Sequence, residues 1–199
     1  MDEKTIGARL AFLRGAEALK DVLRSGYTST GRRESTAEHT WRLCLMALVF
    51  ADGLAGLDIL RVVKLCIVHD LAEAIGGDVP ATEQVSSAAK TAQERDDLQL
   101  LAAPLDAPLR QELLALWEEY AHGATPEARA VKAMDKLETI LQHTQGANPP
   151  DFDYAFNLHY GRQYTSAHPL FAAIRAAIDG DTRARMAGES APLASPDAG

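Results

Sequence analysis

Hydrophobic positions recur every three or four residues along almost the whole chain, the spacing of one apolar helix face. Ile6, Leu10, Leu13, Ala16 and Leu19 predict a first helix. Residues 24–34 (RSGYTSTGRRE) are polar and contain glycine, so a loop is expected there. Ser35-Thr36-Ala37-Glu38 matches a capping box and opens a second helix, continued inward by Leu43, Ala47 and Phe50 and ended by Gly53 and Gly56. A third helix is predicted over 57–75, with Leu57, Leu60, Val63, Ile67 and Leu71 as its core stripe, stopped by Gly76-Gly77-Asp78-Val79-Pro80.

Further helices are predicted at 85–102, 108–121 and 125–145, the last opened by Thr125-Pro126-Glu127. After a loop at 146–150, helical pattern resumes weakly over 152–163 and more firmly over 169–179. No internal repeat and no strand series is visible. The expectation is an all-α fold, a single helical bundle over 1–180 followed by a flexible tail over 181–199.

Composition narrows the function. The chain has 199 residues, enough for one well-filled core, and its 47% hydrophobic and 24% charged residues are ordinary for a globular domain. A net charge of −8 argues against a nucleic-acid polymer as partner, because binding one draws on cationic side chains that release counterions. Cys44 and Cys66 sit in apolar runs and read as buried thiols, which fits a cytoplasmic protein. No signal peptide is expected at the N-terminus, and no apolar run approaches the length of a membrane span.

The chemistry is concentrated in a few polar residues on otherwise apolar helices. His69-Asp70 lies inside Leu65-Cys66-Ile67-Val68-His69-Asp70-Leu71-Ala72. Burying an ionised aspartate is costly without a compensating charge, and a bound cation is one such partner; pairing with other side chains is the plain alternative. Glu73 falls one turn after His69, placed to orient or deprotonate a water, although helical glutamates are more often solvated. Asp78 closes the helix, where turn chemistry alone also favours aspartate. His39 lies just past the capping box, and Asp135 borders the apolar stripe of Val131, Met134, Leu137, Ile140 and Leu141. Two imidazoles and two carboxylates suit one divalent ion among Mn, Co, Fe, Zn and Mg.

The order His39, His69-Asp70, Asp135 resembles the H…HD…D signature of the HD-domain metal-dependent phosphohydrolases. Arg33-Glu34-Ser35-Thr36-Ala37-Glu38-His39 and His69 through Pro80 resemble the corresponding blocks of its 5′-deoxynucleotidase branch. Leu116 to Tyr120 and Lys132 to Glu138 look like its later helices, so the likeness covers roughly residues 8–180. The resemblance implies a helical fold, a divalent metal held by His39, His69, Asp70 and Asp135, and frequently a homodimer. It implies hydrolysis of deoxynucleoside 5′-monophosphates, with Glu73 helping to activate water and Asp78 near the scissile bond. It departs in the loop before Glu34, where Arg24-Ser25-Gly26-Tyr27 stands in place of a tryptophan-bearing segment. Tyr27 is then the candidate for stacking on a base or sugar and Arg33 the candidate for phosphate. Two other readings stay open: the same chemistry on a triphosphate, diphosphate or other phosphoester, and a non-catalytic helical scaffold.

Overall fold

The structure, a computed structural model, describes residues 1–79 and 87–188. The element order is α1 (Glu3–Ala16), a short 3₁₀ turn, β1 (Leu23–Tyr27), β2 (Arg33–Ser35), α2 (Thr36–Val49), a second 3₁₀ turn, α3 (Ile59–Val68), α4 (Glu73–Gly76), α5 (Ser87–Leu101), α6 (Ala107–His122), α7 (Pro126–Gln145), α8 (Tyr154–Asn157), α9 (Arg162–Thr165) and α10 (Pro169–Met186). The expected all-α class holds. Among the described residues the one sheet is the two-stranded β1–β2 hairpin.

That hairpin corrects the expected loop at 24–34. Its turn is built locally: Thr28 N donates to Arg32 O at 2.6 Å, Gly31 N donates to Thr28 O at 3.0 Å, and Gly31 takes a left-handed φ of 82°. The Thr28 hydroxyl also accepts from Arg32 N at 3.2 Å. Threonine and glycine chemistry, rather than alternation of apolar residues, makes this turn.

The chain forms two compact units, Met1–Ser25 with Glu34–Lys132, and Gly26–Arg33 with Ala133–Gly199. In the first, α2 packs on α3, α3 on α6, α6 on α5, and α5 on α4. Its core includes Leu43, Leu54, Val62, Leu65, Leu98 and Trp117. The capping box forms as expected: Glu38 N donates to Ser35 Oγ at 3.3 Å, and Ser35 N to Glu38 Oε2 at 2.8 Å. In the second unit α10 packs on α8 and α9, and Met134, Leu137, Ile140, Phe171 and Ile178 are buried.

Three helical expectations are corrected. On α1 the expected apolar face is open, with Ile6, Leu10 and Leu13 exposed and only Leu19, in the following turn, buried. The helix over 57–75 divides after Val68, and its core face is Val62, Leu65, Cys66 and Val68, leaving Leu60 and Ile67 outside. The last helix continues to Met186 instead of ending near 179. Polar contacts hold the extension: Arg185 donates to Gly146 O and Tyr154 Oη, both at 2.7 Å. Pro80 and the start of the helix predicted from 85 lie outside the described residues, as do residues 189–199 of the predicted tail.

Candidate metal centre

α2 and α3, packed side by side, carry the imidazoles. The capping box starts α2 at Thr36, so His39 falls in its first turn and points inward with no exposed surface. His69 caps α3 and is also buried. Beyond it the backbone tightens: Leu71 N bonds Val68 O and Glu73 N bonds Asp70 O, both three-residue steps. This turn swings Asp70 back toward His69. Asp70 Oδ2 lies 2.9 Å from His69 Nε2 and 3.8 Å from His39 Nε2. The two rings are 5.4 Å apart at 57°. One ligand atom from each of His39, His69 and Asp70 lies within 4.8 Å of the others.

The surroundings set the chemistry of these donors. His69 Nδ1 is 2.7 Å from Cys66 O, a carbonyl that can only accept, so Nδ1 carries the proton and donates. Nε2 is buried without a hydrogen bond of its own and faces a carboxylate oxygen. Two lone pairs 2.9 Å apart require a positive centre, either a second proton on the ring or a cation between them. The residues therefore fit a divalent ion, with a backbone carbonyl orienting one imidazole in the usual manner of histidine ligands. Tyr120 presses edge-on against the His69 ring at 5.2 Å, and Lys132 stands over that tyrosine at 4.3 Å.

Around this cluster is a ring of charge. Burial opposes ionisation of Asp70, but His69, His39 and Arg24 outweigh it and hold the carboxyl well below its ordinary value. Glu73 is only 5% exposed, which sets aside the solvated-glutamate reading. Its carboxyl is pushed up to about 9, first by burial and then by the charges of Asp70 and Asp78, against the pull of Arg24 and Thr36. The Thr36 hydroxyl donates to Glu73 Oε2 at 3.0 Å. Asp78 is half-buried in the loop after α4 and is likewise raised by burial, with Asp70 adding to the effect.

The remaining candidates are placed differently. Arg33 is exposed on β2. Tyr27 is half-buried, and its carbonyl accepts from Gln142 Nε2. Asp135 is buried on α7, with Oδ2 2.8 Å from Lys136 Nζ. Two participants have no role assigned from the sequence. Arg24 on β1 reaches Asp70 Oδ2 at 3.5 Å and Glu34 Oε2 at 3.6 Å with only 12% of its side chain exposed, and Thr36 holds Glu73. Arg24 gave no helical signal because its segment is a strand. Thr36 was visible only as part of the capping box.

Known proteins with similar chains point to one family. The HD domain pattern matches residues 16–175. The chain is 40% identical to the 5′-deoxynucleotidase HDDC2 of Danio rerio over 67% of its own length and 66% of that protein. It is 38% identical to the protein of that name from Homo sapiens, over 70% and 69%. It thus spans about two thirds of the length of these relatives. A solved structure from Magnetospirillum magnetotacticum MS-1, described as a predicted metal-dependent phosphohydrolase, superposes with a TM-score of 0.78 at 28% identity, covering 91% of this chain and 94% of that one. With two thirds or more of the chain aligned to each relative and the family pattern spanning 160 positions from 16 to 175, this chain belongs to the HD-domain family, whose metal-dependent members imply a divalent ion at the centre.

Proposed function

We propose that the chain hydrolyses deoxynucleoside 5′-monophosphates to nucleoside and phosphate, and that residues 1–180 form the catalytic HD domain. The observation that carries the reading is the convergence of His39, His69 and Asp70 beside a buried Glu73 and an Arg24 whose side chain is 12% exposed. The relatives named 5′-deoxynucleotidase supply the substrate class. Asp135 is taken as the fourth ligand on the order of the H…HD…D motif.

When bound, the divalent ion, one of Mn, Co, Fe, Zn or Mg, supplies Lewis acidity that makes water a competent nucleophile near neutral pH and offsets phosphate charge. With a divalent cation nearby to favour its ionised form, Glu73, held at Oε2 by Thr36, takes a proton from the attacking water. Arg24 steadies a non-bridging phosphate oxygen, since guanidinium geometry matches phosphate. Asp78 orients the water or the leaving group. Water adds to phosphorus, the bond from phosphorus to the 5′-oxygen breaks, and that oxygen leaves with a proton as the nucleoside. Tyr27 stacks on base or sugar, and Arg33 is a second phosphate cation on its motif alone.

No helix among the described residues is long and apolar enough to cross a membrane, and a cytoplasmic location is part of the proposal. So is a homodimer, supported by apolar residues left open on α2, where Trp41, Leu48 and Val49 are exposed. Sedimentation would test the dimer.

The deciding experiment is phosphate release from a panel of ribo- and deoxynucleotides with each divalent ion in turn. Deoxynucleoside monophosphates should be turned over fastest, and Asp70→Asn should lose both metal and activity. Preference for a triphosphate would move the activity to another substrate. Turnover no higher than that of Asp70→Asn would leave a scaffold.

A further inference from the structure

We infer that Lys90 is a substrate-binding residue: its ammonium, steadied by Glu94 at the rim of the metal centre, meets the phosphate of the incoming nucleotide. The inference rests on the proposed hydrolysis of nucleoside monophosphates at that centre, and every residue it uses lies in the first compact unit. Lys90, Glu94 and Asp97 stand at positions i, i+4 and i+7 of α5 and so share one face. α5 packs on α4 with that face turned inward: Asp97 is only 7% exposed, and a Cβ on Gly76 would lie 2.6 Å from Asp97 Oδ2. Gln93 Nε2 donates to Asp97 Oδ1 at 2.9 Å and holds the carboxylate against that glycine. α4 begins with Glu73, and Asp78 follows shortly after its end.

Glu94 and Lys90, about one and two turns back along the same face, lie within electrostatic reach of the centre. Burial raises the Glu94 carboxyl, Lys90 opposes the rise, and the charge of Asp70 adds to it. Lys90 also favours the charged form of Asp78, against burial. Lys90 Nζ lies 3.3 Å from Glu94 Oε1, with 28% and 27% of the two side chains exposed, so the ammonium is anchored on one side and open to a solute on another. For helix stability the pair is poorly placed. Lysine four residues before glutamate is the weaker order, and a cation in the first turn opposes the helix dipole. For an anion it is well placed. A phosphate monoester brings negative charge to a group of four carboxyls, Asp70, Glu73, Asp78 and Glu94. Arg24 is divided between Asp70 at 3.5 Å and Glu34 at 3.6 Å. A lysine on a flexible stem, turning from Glu94 to the ligand, supplies a second positive charge.

The test is Lys90→Met in the full chain loaded with Mn(II). Inorganic phosphate is the calorimetric probe, and steady-state kinetics on deoxynucleoside monophosphates run alongside. Phosphate affinity should weaken about tenfold, the effect of losing one charge-assisted hydrogen bond at a part-exposed position. KM should rise by a similar factor with kcat little changed, as for a group that holds substrate and transition state alike. Mn(II) affinity should stay within twofold of wild type, and Lys90→Arg, which keeps the charge, should restore part of the phosphate affinity. Phosphate affinity and KM both within twofold of wild type overturn the inference and leave Lys90 a surface partner of Glu94. A loss of Mn(II) affinity in Lys90→Met overturns it too, because the effect would then lie with the metal. Failure of the hydrolase reading looks different: wild type itself then releases no phosphate from any deoxynucleotide, and the inference falls with it. Should Lys90→Met not fold, Lys90→Gln is read in its place by the same criteria.

Discussion

Replacing Thr36 by valine tests whether Glu73 acts as the proton acceptor. Valine keeps the volume and the branched Cβ of threonine, so the first turn of α2 and the Ser35 cap are undisturbed. The substitution removes one thing: the hydroxyl that donates to Glu73 Oε2 at 3.0 Å in a site where Thr36 is wholly buried. No water can take over the lost bond without space being made for it. A hydrogen bond to a charged group is worth about 1.5–3 kcal/mol. If that bond holds Glu73 in its reacting position, the whole of it is lost from the transition state. At about 1.4 kcal/mol per tenfold in rate, kcat should then fall roughly 10–100-fold. The assay is phosphate release at saturating metal and substrate, with metal affinity measured in parallel. Thr36→Ser, which keeps the donor, should remain close to wild type. A Thr36→Val enzyme with kcat within twofold of wild type would refute the reasoning, because Glu73 would then work without its buried partner.

Other outcomes follow from the charges. The raised Glu73 carboxyl favours its protonated form in the folded, metal-free chain, so its contribution to stability is fully present below the ordinary carboxylate range and is lost as pH rises towards about 9. Chelator-stripped wild type should therefore lose Tm relative to Glu73→Gln as pH is raised from 5 to 9; a constant difference between the two melting curves would contradict this. Glu119 shows the opposite sign. Burial works against its charge, but bonds from Arg61 and Thr125 hold its carboxyl below the ordinary value, so the contribution is present at neutral pH and lost in acid. Arg61 is half-exposed and partly screened, so Arg61→Ala should cost about 1 kcal/mol. That is a Tm lower by roughly 2–4 °C at pH 7, and the gap should close as pH falls. An equal gap at pH 3 would mean the loss is one of packing.

Much of the fold was legible because helix signals are local. The capping box at Ser35 and the cap at Thr125 mark helix starts that the structure reproduces. What escaped is set by partners distant in sequence. Which face of α3 is buried depends on α2 and α6, so Leu60 and Ile67 looked like core and are not. The hairpin depends on a threonine side chain bonding its own turn. The tail of α10 depends on Arg185, whose partners Gly146 and Tyr154 lie 39 and 31 residues away and leave no periodic trace.

The same distinction explains why the His-Asp pair works as a pair. On an unbroken helix, residues i and i+1 point about 100° apart, and neighbours in sequence do not share a face. A helix running straight through 57–75 would send His69 and Asp70 to different surroundings. The chain instead leaves the α-helix at His69 and takes three-residue steps at Leu71 and Glu73, which brings Asp70 Oδ2 within 2.9 Å of His69 Nε2. The tightening also sets Glu73 at the first position of α4, where it meets Thr36 across the packed α2. The motif thus encodes a break as much as two ligands. Its chemistry depends on the run from Asp70 to Ala72 tightening out of the α-helical register, although its composition favours an α-helix. Burial supplies the force: Leu71 and Ala72 are 7% and 1% exposed, and the turn is what lets them reach the core while Asp70 keeps its place beside the imidazoles.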